Sequence, residues 1–134
     1  MNQYLGRFES PIYALFRVVI AFLYWCHGPA WLFGWFNGPG PVSLGTQFGM
    51  AGLIELVCGT LIGIGLFGPW AAFIACGEMA VAYFMAHVPR GSWIPLMNGG
   101  EITVALCFAF LLIAARGSGA YSVDAWLAAR RDKK

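Results

Sequence analysis

From Pro11 to Trp31 the chain carries one charged side chain, Arg17, and runs of this kind recur to its far end. Gln47 to Phe67 holds only Glu55, Trp70 to His87 holds only Glu78, and Ile102 to Ala115 holds none. A hydrocarbon core of ~30 Å is crossed by about 20 helical residues rising 1.5 Å each. A chain of 134 residues that is 60% hydrophobic and 10% charged cannot hide such runs from water, since soluble domains carry about 25% charged residues. The expected solvent is lipid. The expected fold is a single-domain, all-α membrane protein: a bundle of four transmembrane helices followed by a C-terminal amphipathic interfacial helix.

Punctuation sets the boundaries. The first helix is expected over 11–31, with Ser10 as N-cap and Pro11 in the first turn. The second spans 47–67. Gly68-Pro69 reads as a tight turn, the third helix covers 70–87, and Val88-Pro89-Arg90-Gly91 breaks it. The purely apolar part of the fourth is short, so the span is extended over 95–116, which draws Asn98 and Glu101 to the membrane edge. Residues 122–134 form the tail: Ser122 caps it, Val123, Trp126 and Leu127 make one side, and Arg130, Arg131, Lys133 and Lys134 supply charge for a membrane surface. The N-terminal run has no small-x-small cleavage site after it and reads as a retained helix.

Four spans place both termini on one side, together with Arg7, Arg116, Arg130, Arg131, Lys133 and Lys134, while the opposite loops hold only Arg90. The positive-inside rule then puts the termini in the cytoplasm of a multi-pass protein of a bacterial inner membrane. Trp31, Trp35 and Trp93 would form the outer aromatic belt. A net charge of +2 without a basic aromatic stripe argues against nucleic acid as a partner.

The ionisable residues inside the runs are the candidates for function. The ten large apolar residues between Phe48 and Phe67 favour insertion by roughly 3 to 6 kcal/mol, and one ionised Glu55 offsets roughly 3 kcal/mol of that. Glu55 thus needs a partner, a proton or an aqueous cavity. At 100° per residue Gly49, Gly52, Gly59 and Gly63 share a face flanked by Glu55; Ala71, Ala75, Ala82 and Ala86 share one with Glu78; Ala14, Ala21 and Gly28 share one with Arg17 and Tyr24. Small residues mark helix contacts in membranes, so all three charges point inward. His27, His87, Asn98 and Glu101 gather near the outer edge, which predicts a polar cavity in the outer half, floored by Glu55 and Glu78.

Within it Glu55, Glu78 and Glu101 are the candidates for proton exchange, and His27, His87, Asn98, Arg17, Tyr24 and Tyr83 for binding. Arg17 reads more naturally as structural, paired with Glu78 or snorkelled to the interface. Each histidine serves equally well as a capping residue. Glu78 and His87 stand nine residues apart, which puts them on opposite faces of a straight helix. No H-x-x-H or E-x-x-H spacing builds a metal site. Cys26, Cys58, Cys76 and Cys107 fall one per helix and read first as small apolar fillers, with an interhelical disulfide left open.

Several segments together resemble the DoxX family of small bacterial membrane proteins: Arg17 through His27-Gly28, Gly52-Leu53-Ile54-Glu55-Leu56, Gly65-Leu66-Phe67, Glu78-Met79-Ala80-Val81-Ala82-Tyr83-Phe84 with His87, Asn98-Gly99-Gly100-Glu101, and Ala114-Ala115-Arg116-Gly117 through Tyr121-Ser122-Val123-Asp124. The resemblance covers nearly the whole chain and implies a four-helix membrane bundle. The family is linked to a terminal quinol oxidase, to a thiosulfate:quinone oxidoreductase and to membrane complexes for oxidative stress and thiol balance. It carries over no set of catalytic residues. The reading it favours is a redox-linked membrane subunit, quinone- or thiol/sulfur-associated, working with a redox partner protein or as a homo-oligomer, with quinone as the expected cofactor. The rival readings are a small-solute or proton-coupled transporter, suggested by the H-x-P echo of His27 and His87, and a membrane scaffold for a partner complex.

Overall fold

A computed structural model of the chain describes residues 2–133; Lys134, counted above among the tail charges, lies outside them. The fold is all-helical among the described residues. A helical turn, α1 (Asn2–Leu5), and a 3-10 turn (Gly6–Phe8) lead into α2 (Glu9–Trp25) and α3 (His27–Phe33). An irregular loop follows, then α4 (Gln47–Ile64), α5 (Gly68–Ala82), α6 (Pro95–Asn98), α7 (Glu101–Arg116) and α8 (Val123–Arg131). Three stretches, Gly6–Phe33, Gln47–Ile64 and Gly68–Arg90, are long and apolar enough to cross a membrane. At 16 residues, or about 24 Å, α7 is shorter. Leu15, Phe22, Phe73, Trp70 and Phe108 stand exposed around the bundle, an arrangement that suits lipid and not water.

Several sequence expectations are corrected. Ser10 does not cap the first helix, because the backbone is already helical from Asn2 and Ser10 lies inside α2. The first span runs on as one helical stretch through Cys26, whose backbone stays helical (φ −58°, ψ −28°); the ladder lacks one bond there, because Pro29 has no N–H to bond the carbonyl one turn back, which divides the stretch into α2 and α3. The turn expected at Gly68-Pro69 lies one step earlier. Gly65 and Phe67 take left-handed backbone (φ 70° and 50°), and Gly68-Pro69 opens α5, where proline is tolerated. The segment over 95–116 is two helices parted at Gly99 (φ 71°) and Gly100, so Asn98 and Glu101 do not share one.

Glycine sets the spacing of α3 and α4. A Cβ on Gly28 would come within 2.8 Å of the Gly52 carbonyl oxygen and the Leu56 nitrogen, which backbone cannot yield. The core runs through Ala21, Tyr24, Cys58, Ile62, Ala71, Ala72, Ala75, Leu106, Phe110 and Ile113, with the Tyr24 and Phe110 rings edge to face at 4.7 Å.

The start of α2 and the end of α7 meet at one end of the bundle, here the proximal end, where Arg116 pairs with Glu9 and the Tyr13 hydroxyl donates to the Gly117 carbonyl at 2.7 Å. Arg17 is 2% exposed and ties that end together. Its guanidinium donates to the Ser118 carbonyl, to the Tyr121 carbonyl at 2.8 Å and to the Gly63 carbonyl at 3.4 Å. It makes no ion pair with Glu78; its head group reaches toward the proximal end, where the chain beyond α7 folds back over it. Asp124, at the start of α8, completes the closure. Its carboxylate accepts from the backbone N–H of Phe67 (3.0 Å) and Gly68 (3.2 Å) and from the Ser118 hydroxyl (2.6 Å). Burial pushes the Asp124 carboxyl up, but those hydrogen bonds and the Arg17 charge outweigh it and hold it below the ordinary carboxylate value.

Candidate functional site

The opposite, distal end is open. A cavity of about 810 Å³ lies between the first half of α4, the second half of α5, the start of α7 and α3. Its walls are mainly apolar, with Trp31, Ile54, Met79 and Leu106 among them, and its polar groups are Glu55, Glu78, His27, His87, Gln47, Arg90 and Thr103. Met50, Ile74, Val81 and Met85 also line it and are exposed, so it opens sideways between α4 and α5, through the apolar flank of the bundle.

The helical pitch explains the liners. Positions 47, 50, 51, 54 and 55 make one stripe of α4; positions 74, 77, 78, 81 and 82 make one of α5, continued by Met85 in the turn that follows. Glu55 is 4% exposed, and its Oε2 has no hydrogen-bond partner. A buried carboxylate oxygen without a partner is costly, and Glu55 stands in the wall of a space that a ligand can fill. Glu78 is better held: the Tyr24 hydroxyl donates to its Oε2 at 3.1 Å. One carboxylate is thus oriented and the other is free to change partners.

His87 lines the cavity although it stands nine residues after Glu78. Residues Tyr83–His87 form a π-helical turn, which carries one residue more than an α-turn. Each residue of α-helix turns the chain by about 100°, so the extra one swings His87 toward the wall that Glu78 occupies. The ring is then fixed on both sides. Its Nδ1 lies 3.4 Å from the Asn98 carbonyl and its Nε2 lies 3.1 Å from the Thr103 hydroxyl. Donation from Nδ1–H to the carbonyl leaves Nε2 to accept from Thr103.

The remaining candidates divide. Tyr24 stands behind Glu78 and positions it. Asn98 and Tyr83 fasten the loop beside the cavity: the Asn98 amide donates to the Ser92 carbonyl (2.9 Å) and the Tyr83 hydroxyl (3.3 Å), the Tyr83 hydroxyl donates to the Trp93 carbonyl (2.6 Å), and Asn98 Oδ1 accepts from Gly100 N–H (2.8 Å). Arg17 is at the wrong end for a binding role. Glu101 is exposed at the first turn of α7 and does not line the cavity, because the break at Gly99-Gly100 turns it away from the other acids. Sequence reasoning missed Gln47, Arg90 and Thr103. Gln47 and Arg90 looked like boundary residues, and only the packed bundle brings them to the mouth.

Among the described residues no group of three or more His, Cys, Asp or Glu side chains could hold a metal ion. The Cys76 and Cys107 sulfurs, on α5 and α7, lie 3.7 Å apart as free thiols.

The DoxX family model matches residues 12–88, more than half of the chain and the part that supplies most of the cavity wall. A relative from Haemophilus influenzae, described as an uncharacterized protein, is 35% identical, with the match covering 92% of this chain and 96% of the relative. No solved structure matches the chain.

Proposed function

Starting from the premise that this chain belongs to the DoxX family, we propose that its distal cavity binds the head group of a membrane quinone and exchanges protons with it, as part of a redox-linked membrane subunit. The observation that carries this reading is the buried Glu55, with its Oε2 unpartnered, in the wall of a mainly apolar cavity with a lateral mouth. A quinol hydroxyl donates to such an oxygen, and a protonated Glu55 donates to a quinone carbonyl. Glu78, oriented by Tyr24, and His87, oriented by Thr103, supply a second proton and a second hydrogen bond to the far side of a ring. The sideways mouth suits a ligand that arrives through lipid with its tail left outside. The electrons come from a redox partner protein.

Four spans are part of the reading. The 16 residues of α7, read together with α6, support a fourth crossing that returns the chain to the side where it began. The bias of Lys and Arg then supports cytoplasmic termini in a bacterial inner membrane, a cavity in the outer half, and α8 lying on the inner surface with Arg130 stacked over Trp126 at 3.8 Å.

Equilibrium binding of a short-chain benzoquinone to the purified protein tests the reading. Wild type binds it, and Glu55→Gln and Glu78→Gln each weaken binding at least tenfold. Absence of binding up to the solubility limit, or an unchanged affinity in Glu55→Gln, refutes it.

A further inference from the structure

The two sulfurs at the α5–α7 contact form a pair that quinone binding alone does not use. Cys76 Sγ and Cys107 Sγ are 3.7 Å apart, about 1.7 Å beyond the ~2.0 Å of a disulfide bond. The Cys107 thiol also lies 3.5 Å from the Cys76 carbonyl, so the two backbones approach closely at this point. Neither residue is fully buried, whereas Cys58 is buried in the core against which both pack. Neither lines the cavity: two residues of α-helix turn Cys76 about 200° from Glu78, so the pair lies within the α5–α7 contact, partly uncovered. Four cysteines spread one per helix could have met in any pairing, and these are the two whose sulfurs meet.

We propose that Cys76 and Cys107 are a two-electron redox pair that closes to an interhelical disulfide, with a lipid-dissolved benzoquinone as oxidant; this rests on the quinone reading above. In the step two S–H bonds break and one S–S bond forms. Two electrons and two protons pass to the quinone, which leaves as the hydroquinone. A cysteine pair that serves only as apolar filler does none of this.

The test is a single turnover. The full-length protein in lipid nanodiscs is treated without oxygen with a tetrasubstituted short-chain benzoquinone. Hydroquinone is followed by absorbance, and thiols are counted by alkylation after denaturation. The expected result is loss of two of the four thiols, a disulfide-linked peptide joining Cys76 to Cys107, and about one hydroquinone per chain. Cys76→Ser and Cys107→Ser each abolish it; Cys26→Ser and Cys58→Ser leave it unchanged. Four free thiols after quinone treatment, or a quinone thioether on either cysteine in place of the disulfide, overturn the proposal. Binding of the same quinone to Cys76→Ser/Cys107→Ser keeps the two readings apart. Retained binding with no thiol loss in wild type defeats the dithiol alone, and absent binding defeats both.

Discussion

The two ends of this bundle bury polar groups in opposite ways. At the proximal end Arg17 is enclosed by three carbonyls and Asp124 by three donors, and the chain's own C-terminal segment supplies much of that enclosure. At the distal end Glu55 is as deeply buried, but it stands in a cavity wall and its Oε2 has no partner. Burial alone therefore does not separate structural charges from functional ones, and neither does a single unpartnered atom, since Arg17 Nε and Glu55 Oε2 both lack a partner. The surroundings do: the rest of the guanidinium is enclosed by carbonyls and holds the fold, while Glu55 makes no side-chain hydrogen bond and stands in a cavity wall.

Substitutions at the two ends should separate the same way. Arg17→Met strands three carbonyls and should cost the most, roughly 3 kcal/mol or more, read as a large loss of thermal stability in detergent. Gly28→Ala should follow at about 1 to 3 kcal/mol, because its Cβ meets the backbone of α4. Asp124→Asn should cost about 1 kcal/mol and remove a pH dependence. The Asp124 carboxyl lies below its usual value in the folded chain, so its contribution is complete above the unfolded value of about 3.9 and is lost as pH falls through the lower, folded one. Wild type should lose stability on acidification below about pH 4 more steeply than Asp124→Asn. Glu55→Gln should change stability least, by under about 1 kcal/mol in either direction, while weakening quinone binding. A Glu55→Gln protein as unstable as Arg17→Met would erase the contrast between the ends.

Much of this was legible in the sequence, and what was not has identifiable causes. The recurrence of Ala14, Arg17, Ala21, Tyr24 and Gly28 on one helical face was readable, and all but the half-buried Ala14 are buried. The small-residue face of α4 was readable too, since Gly49, Gly52 and Gly59 are buried. Arg17's partners were hidden because Ser118 and Tyr121 follow it by about a hundred residues and offer only carbonyls, which carry no sequence signature. The position of His87 was hidden by the π-turn, whose extra residue is a matter of packing. The exclusion of Glu101 was within reach, because the Gly99-Gly100 pair is a strong helix breaker.

The closure over Arg17 also imposes an order in time. Arg17 emerges with the first membrane run, but two of its three carbonyl partners, Ser118 and Tyr121, lie beyond α7. Until that part of the chain is made, the guanidinium lacks two of its three carbonyl partners and must be satisfied by other oxygens. The C-terminal segment is therefore a completion signal: a bundle that lacks it should stay loosely seated and open to membrane proteases.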